Sequence, residues 1–134
     1  MQPDRPAHRT RIRTLLVDDS ALVRDGLLRY LKGGGLVTVV GVAANGREAL
    51  DKLETLKPDL VIMDIHMPEM NGLEATRRIK ARPNPPRVLV VSTEAGPAIR
   101  AALEAGADGF CDKQDLPEQL NGQIQGLFSD AGAA

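Results

Sequence analysis

Carboxylate, hydroxyl and ammonium side chains follow short apolar runs at separated points of the sequence. The residues are Asp18 and Asp19, Asp64, Ser92 and Lys113. Three carboxylates brought close together repel one another, so that one of them takes up a proton unless a cation is present. Their hard oxygen atoms suit Mg²⁺ or Mn²⁺, with water completing the coordination shell. The residue types therefore indicate a divalent metal site.

Ser92 and Lys113 would add a donor and a positive charge beside such a metal, which indicates an incoming anion. Metal, ammonium, hydroxyl and backbone N–H groups together could hold a phosphoryl group and leave one carboxylate to attack phosphorus. A single Asp at a strand end is more often a turn former or a helix cap. For all of these positions taken jointly, coincidence is the weaker explanation because they follow different strands.

These side chains can meet only if the apolar runs before them are strands of one sheet. Runs of strand length occupy residues 14–17, 36–43, 60–63, 87–91 and 109–111. Several are continuously apolar, which is typical of parallel strands covered on both faces, and segments with helical spacing lie between them. The βα alternation predicts an α/β fold with a doubly wound, five-stranded parallel sheet, and ligands of such sheets bind beyond the carboxyl ends of the strands.

Capping chemistry marks the start of three of the predicted helices. The motifs are Asn45-Gly-Arg-Glu48, Asn71-Gly-Leu-Glu74 and Asp115-Leu-Pro-Glu118. In each, a short polar side chain could accept from unpaired backbone N–H groups while the Glu reaches back. Gly33-Gly34-Gly35 predicts a turn after the first helix.

Length and composition exclude several classes of protein. The chain has 134 residues, 43% hydrophobic and 26% charged, with a net charge of -1, which fits one domain and neither a disordered chain nor a strongly basic nucleic-acid surface. Cys111 is the only cysteine, so no intrachain disulfide can form. Residues 1–12 are predicted to be a basic flexible tail, without a signal peptide or membrane anchor. No run reaches the roughly 18 apolar residues of a spanning helix.

Longer motifs give the chain a family resemblance. They are LLVDDS (15–20), AANGREAL (43–50), PDLVIMDIHMPEMNGLEA (58–75), VLVVST (88–93) and AGADGFCDK (105–113). In this order they resemble the receiver domain of two-component response regulators, the family of the chemotaxis protein CheY. The resemblance covers residues 13–128, with a short tail at 129–134. It implies a flavodoxin-like (βα)5 fold with strand order 2-1-3-4-5.

The resemblance also implies a chemical role for each acidic residue. Asp64 matches the phosphoacceptor, which takes a phosphoryl group from the phosphohistidine of a histidine kinase. Asp18 and Asp19 match the acidic pair that holds Mg²⁺ or Mn²⁺ together with Asp64. The backbone carbonyl of His66 is implied as a further metal ligand. The protein would then be a signalling phosphoacceptor and not an enzyme acting on a separate substrate.

The remaining matched positions are those of a switch. Ser92 matches the hydroxyl that turns toward the phosphoryl group, and Lys113 matches the lysine that pairs with it. Phe110 matches an aromatic residue that swings inward when Ser92 moves, which changes the face formed by helix 4, strand 5 and helix 5. The resemblance also implies residues at the mouth of the site whose side chains tune the rate of dephosphorylation. They are His66, Thr93 and Glu94.

One position departs from the family pattern. Most receivers follow the lysine with a proline, but Gln114 follows Lys113 here. A non-proline cis peptide is costly, so we expect a trans linkage, with Asp115 capping the last helix. The usual loop shape and partner surface at this point are therefore in doubt.

Partners and competing functions follow from the same resemblance. A receiver implies a cytoplasmic location, a histidine kinase or phosphotransfer protein as donor, and a downstream protein target, with a monomer or a phosphorylation-dependent dimer. Neither membrane nor direct nucleic-acid binding is expected. A stand-alone receiver is favoured over the front part of a DNA-binding regulator. A phosphatase of the haloacid dehalogenase type is disfavoured because it needs a second Asp two residues after the nucleophile, where this chain has His66. A module that has lost phosphorylation is disfavoured because no site residue is missing.

Overall fold

The described part of the chain folds as one parallel sheet between two layers of helices. The computed structural model describes residues 11–133 except positions 68, 69, 94 and 117. Within these residues the five strands pair in the order β2-β1-β3-β4-β5, and every pair is parallel. The predicted α/β class and strand order are therefore confirmed.

Strands and helices alternate along the chain. The strands are β1 (Ile12–Val17), β2 (Val37–Ala43), β3 (Leu60–Asp64), β4 (Arg87–Ser92) and β5 (Gly109–Asp112). The helices are α1 (Ala21–Gly34), α2 (Gly46–Leu56), α3 (Gly72–Lys80), α4 (Ala95–Glu104) and α5 (Leu120–Ala133), and a short 3₁₀ helix (Lys113–Asp115) follows β5. None of the helices in the described ranges is both long and apolar enough to span a membrane.

Two hydrophobic clusters cover the two faces of the sheet. Helices α2, α3 and α4 pack on one face, where Leu53, Ile79 and Ala102 are buried against β1, β3 and β4. Helices α1 and α5 pack on the other, where Leu31 and Ile124 are buried. Strand β3 is buried along its whole length. Its continuous apolar pattern is explained by this burial on both faces.

The predicted Asn caps are present at the starts of α2 and α3. The predicted return bond from the Glu is confirmed at α2, whereas at α3 Glu74 pairs with Arg77 and Arg78. Asn45 Oδ1 accepts from the Glu48 N–H at 2.9 Å, and Glu48 Oε1 accepts from the Ala44 N–H at 2.8 Å. Asn71 Oδ1 accepts from two N–H groups of the first turn of α3, each at 3.0 Å. These caps place the preceding loops, which both border the carboxyl edge of the sheet.

The predicted cap of the last helix is wrong. Asp115 lies in the 3₁₀ helix, and α5 begins only at Leu120. Asp112 directly precedes the 3₁₀ helix, and its carboxylate accepts from the Gln114 N–H at 2.9 Å. Asp112 therefore caps the 3₁₀ helix. The backbone at Leu116 is then extended, with φ -81° and ψ 145°, which separates the two helical segments.

Several boundaries also differ from those expected. Asp64 and Ser92 are the last residues of β3 and β4, where the sequence pattern ended each strand one residue earlier. Strand β1 begins at Ile12, inside the predicted tail, and α5 continues to Ala133 through the segment predicted as the other tail. The triple glycine does not form a turn by itself, because α1 continues through Gly34 and only Gly35, with φ 77°, has the left-handed conformation of a C-cap.

Asp108 ties α3 to the start of β4. Its Oδ2 atom accepts from Lys80 Nζ at 2.8 Å and from the Val88 N–H at 2.8 Å, and both charged side chains are mostly buried. We expect Asp108→Ala to lower the free energy of unfolding by about 2 kcal/mol, because it leaves a partly buried ammonium and an N–H group without this acceptor. Urea denaturation would measure the change. Asp25→Ala, at an exposed position of α1, is the control and should change it by less than about 0.5 kcal/mol; an equal effect of both substitutions would contradict the assignment.

Candidate functional site

Four strand ends bring the predicted site residues to the carboxyl edge of the sheet. Asp18 directly follows β1, Asp64 ends β3, Ser92 ends β4, and Lys113 directly follows β5. The strands β1, β3, β4 and β5 are consecutive neighbours in the sheet, so their ends are adjacent. The sheet order therefore brings together residues that lie up to 95 positions apart in the sequence, from 18 to 113.

The three carboxylates lie close together but differ in exposure. One oxygen from each of Asp18, Asp19 and Asp64 lies within 4.8 Å of the others. Asp18 is 1% and Asp64 2% exposed, whereas Asp19 is exposed at the surface. The site therefore has two buried acidic groups and one acidic group at its mouth.

Lys113 bridges the two buried carboxylates. Its Nζ atom lies 3.1 Å from Asp18 Oδ2 and 3.1 Å from Asp64 Oδ1. Burial lowers the pKa of Lys113, but the attraction of Asp64 and Asp18 outweighs burial and the net shift is upward. The side chain is therefore held as an ammonium between the two acids.

Burial and the nearby charge of Asp18 disfavour the ionised form of Asp64. Burial is the largest cause that raises its pKa, and the charge of Asp18 raises it further. Lys113 and the backbone N–H of His66 stabilise the carboxylate and offset part of this rise. One ammonium thus does not fully compensate the acidic cluster, and a further cation would be stabilised there.

The donor set fits a hard divalent cation. Asp18 Oδ2 is buried and accepts no hydrogen bond, although Lys113 Nζ lies within ion-pair distance of it. Mg²⁺ binds oxygen at about 2.1 Å, so ligands on opposite sides of the ion lie about 4.2 Å apart. The carboxylate oxygens lie within 4.8 Å of one another, so small side-chain movements would bring all three within reach of one ion. Asp18, Asp19 and Asp64 are therefore suited to hold Mg²⁺.

The other predicted residues border this cluster. Ser92 is fully buried at the end of β4, and the next residue, Thr93, is exposed. His66 is exposed two residues after Asp64. Phe110, in β5, is partly buried and packs against the hydrophobic cluster that includes α4. Glu94 lies outside the described residues.

Two residues at the site were missed by the sequence interpretation. The Arg24 guanidinium donates to the backbone carbonyl of Asp18. Gly72 is packed so closely on the chain that a Cβ built there would lie 2.0 Å from the Asp64 carbonyl oxygen. Arg24 follows Asp18 by six residues, but nothing distinguishes it in the sequence from the other arginines. The glycine of the Asn-Gly motif was interpreted only as part of a helix start.

Ser20 supports Asp18 and also caps α1. Its N–H donates to Asp18 Oδ1 at 2.9 Å, and its hydroxyl accepts from the Val23 N–H at 3.3 Å. The first turn of α1 thereby holds one oxygen of Asp18 in place. The second oxygen is the one that faces Lys113.

Mg²⁺ should stabilise the folded protein through this cluster. At a concentration ten times its dissociation constant, a ligand that binds only the folded state adds about 1.4 kcal/mol, which corresponds to roughly 4 to 6 °C in Tm for a domain of this size. Calorimetry with Mg²⁺ and with a chelator would measure the shift. Asp19→Asn should remove most of it and Asp25→Asn none of it. An unchanged Tm of the wild-type protein at all Mg²⁺ concentrations would contradict the metal assignment.

Comparison with known proteins identifies similar sequences and structures. Residues 14–125 match the family described as "Response regulator receiver domain". A protein-glutamate methylesterase/protein-glutamine glutaminase of Geobacillus kaustophilus is 42% identical over 113 residues, which are 82% of this chain and 32% of that protein. Response regulator GacA of Pseudomonas viridiflava is 45% identical over 103 residues, which are 76% of this chain and 48% of GacA.

A solved structure has a fold similar to that of this chain. The response regulator domain of Thermotoga maritima CheB matches with a TM-score of 0.79 at 38% identity, covering 88% of this chain and 97% of that domain. The chain spans only about a third to a half of the length of the curated relatives described above. The likeness therefore concerns one domain of those proteins.

Proposed function

The chain belongs to the response regulator receiver domain family, and on this premise we propose that it is a phosphorylation-dependent signalling switch whose phosphoacceptor is Asp64. The observation that carries the proposal is the position of Lys113 Nζ, 3.1 Å from a carboxylate oxygen of Asp64 and 3.1 Å from one of Asp18. An ammonium group held beside a buried carboxylate can pair with the phosphoryl oxygens of an incoming anion. The donor would be a histidine kinase or a phosphotransfer protein in the cytoplasm.

The proposed reaction is transfer of a phosphoryl group to a carboxylate. An oxygen of Asp64 attacks phosphorus, the bond between phosphorus and the donor's imidazole nitrogen breaks, and the bonding electrons leave with that nitrogen. An acyl phosphate is formed on Asp64. Asp18, Asp19, Asp64 and the carbonyl of His66 would hold Mg²⁺, which when bound neutralises charge on the phosphoryl oxygens. Lys113 is placed to pair with one of these oxygens.

Ser92 and Phe110 are the proposed link between the site and the protein surface. Ser92 lies opposite Asp112 in the pairing of β4 with β5, two residues beyond Phe110. Movement of the Ser92 hydroxyl toward the phosphoryl group would leave space that the partly buried Phe110 ring could enter. The change would alter the face of α4, β5 and α5. His66, Thr93 and Glu94 are proposed to tune how fast water removes the phosphoryl group.

Exposed apolar side chains on α4 support a partner surface on this face. Ile99 is 39% and Leu103 57% exposed, and both line a shallow groove with Gly96, Arg100 and Glu104. Large apolar side chains exposed next to each other are typical of protein interaction sites. The downstream target is therefore proposed to be a protein.

Acetyl phosphate with Mg²⁺ tests the proposal directly. The expected result is a gain in mass of one phosphoryl group, lost again on standing and prevented by a chelator. Beryllofluoride, which mimics the acyl phosphate, should then change oligomeric state or partner capture. If neither reagent has any effect on the protein, the proposed switch is wrong.

How the proposed signal is passed on depends on whether the native protein contains an effector domain. We propose a receiver that acts free-standing; its fold extends from Ile12 to Ala133, beyond the predicted bounds of 13–128 on both sides. The full-length relatives support the alternative that the native chain continues into an effector domain, and the length of its open reading frame distinguishes the two. The methylesterase named among the relatives is matched over only 32% of its length, so its activity is not proposed for this chain.

A further inference from the structure

Backbone hydrogen bonds connect the β2–α2 turn (residues 44–46) and the residue before it to Asp18 and to the loop after β3. On one side, the Asp18 N–H donates to the carbonyl of Ala43, the residue before the turn, at 3.0 Å. On the other side, the Gly46 N–H donates to the carbonyl of Met70 at 3.2 Å. Met70 belongs to the loop that connects Asp64 to α3. The turn thus spans the site from β1 to the loop after β3.

Reciprocal side-chain bonds fix the shape of this turn. Asn45 accepts from the Glu48 N–H, and Glu48 accepts from the Ala44 N–H, at 2.9 Å and 2.8 Å. Such a capping box restrains the backbone of the residues before a helix. A displacement at one end of the turn is therefore passed to the other end and is not absorbed within it.

The backbone at Gly72, which follows the loop that carries Met70, packs on the backbone of Asp64 and Ile65. Two residues after Met70, the Gly72 N–H donates to the Ile65 carbonyl at 2.9 Å. A Cβ added to Gly72 would lie 2.0 Å from the Asp64 carbonyl oxygen, so the two backbone segments are in contact. A shift of Met70 would consequently act on the backbone of Asp64 through two peptide units.

No space is left at Gly46 for a side chain. A Cβ there would lie 2.7 Å from the Met70 carbonyl oxygen and 3.0 Å from Ala75 Cβ. Gly26 in α1 is different, because a Cβ added to it would meet nothing within 4 Å. The closeness at Gly46 is therefore a property of its contact with the loop, not of helical glycines in this protein.

We propose that the β2–α2 turn is a positioning element, in which Gly46, by its contact with Met70, holds the loop after β3 and with it the backbone that bears the carbonyl of His66. The spacing of Asp18 and Asp64 is set by the pairing of β1 with β3, and the position of this loop determines the Mg²⁺ affinity of the site. Its effect on the rate of phosphoryl acceptance rests on the proposed function. In this role the turn supplies no metal ligand and acts through the backbone of the loop.

Gly46→Ala tests the proposal. Adding one methyl group against the Met70 carbonyl should weaken Mg²⁺ binding about tenfold, the size of effect seen when groups that orient metal ligands are changed. It should slow phosphorylation by acetyl phosphate by a similar factor at Mg²⁺ concentrations below the dissociation constant, and speed hydrogen exchange at the Gly72 amide. Calorimetric Mg²⁺ titration, intact-mass kinetics and NMR exchange would measure these changes.

Two controls separate positioning from stability. Gly26→Ala makes the same chemical change where there is space, and Ile124→Val removes one methyl group from the cluster on the opposite face of the sheet. Neither should change Mg²⁺ affinity. If Gly46→Ala binds Mg²⁺ as tightly as these controls do and leaves Gly72 exchange unchanged, the inference is overturned.

Two further outcomes are informative. If the wild-type protein takes no phosphoryl group, the proposed function fails, and the positioning role is then judged by Mg²⁺ affinity and Gly72 exchange alone. If Gly46→Ala does not fold, the wild-type protein provides the test, because a ligand that needs the turn in place must stabilise it in return. Mg²⁺ should then slow exchange at the Gly46 amide, and an unchanged rate overturns the inference.

Discussion

Asp64→Asn should abolish phosphorylation by acetyl phosphate while yielding a folded protein. The amide oxygen of Asn is a much poorer nucleophile than a carboxylate. Among the described residues, Asp18 is the other acid paired with Lys113. Its second oxygen accepts from the Ser20 N–H, which holds the side chain in place. Removal of the attacking group should therefore lower incorporation to background, a loss of at least about a thousandfold. Intact-mass measurement with Mg²⁺ present would determine it.

The same substitution should change how stability depends on pH. The pKa of Asp64 lies above its ordinary value of 3.8, first because of burial and next because of the charge of Asp18. Between these two values the folded state holds a proton that the unfolded state has released. The contribution of Asp64 to stability is therefore complete below pH 3.8 and is lost as the pH rises through the folded-state pKa. Without metal, the wild-type protein should lose stability relative to Asp64→Asn across that interval.

The matched control is an exposed aspartate away from the site. Asp51 is exposed on α2, and Asp51→Asn should phosphorylate at the wild-type rate and show the wild-type pH dependence. Incorporation of label into Asp64→Asn at the rate of Asp51→Asn would show that another residue is the acceptor. Parallel urea midpoints of all three proteins over pH would contradict the electrostatic account of the buried acid.

Gly72→Ala should be the most destabilising single-methyl change at the site. Its Cβ would lie 2.0 Å from the Asp64 carbonyl oxygen and 2.9 Å from Ile65 Cα, both of them backbone atoms. Strand β3 cannot move aside, because it is buried and paired with β1 and with β4. We expect a loss of about 3 kcal/mol in the free energy of unfolding, at the upper end for overpacking. Urea denaturation at neutral pH would measure it.

Gly26→Ala provides the opposite expectation for the same chemical change. The position is in the interior of α1, and an added Cβ meets nothing within 4 Å. Replacement of a helical glycine by alanine stabilises by about 0.5 to 1 kcal/mol. Effects of equal sign for the two variants would mean that the contact between Gly72 and Asp64 does not constrain the loop.

The arrangement of the site could be predicted from sequence because it depends on strand order and strand ends. Asp64 and Lys113 are far apart in the chain, but parallel βα units bring every carboxyl end to one edge.

Two features could not be predicted in this way. Gly72 lies eight positions after Asp64, so their contact depends on tertiary structure and not on a local pattern, and a glycine in an Asn-Gly motif is explained equally well by a cap. The predicted cap at Asp115 is wrong because Asp115 is itself part of a 3₁₀ helix, and α5 begins only at Leu120. Asp112 is nearer to the free N–H groups that follow β5, so local geometry decided against the more regular motif.

The place of each strand in the sheet divides the molecule into stiff and compliant parts. The strand that ends in Asp64 is held from both sides, by β1 and β4, whereas β5 is held in the described sheet by β4 alone and is only four residues long. Edge elements open locally at lower free energy than central ones. Strand β2 is the other edge, held by β1, but it is seven residues long against the four of β5. A strain generated at the central strand would therefore relax more readily toward β5, where Phe110 lies, and the proposed signal needs no dedicated pathway.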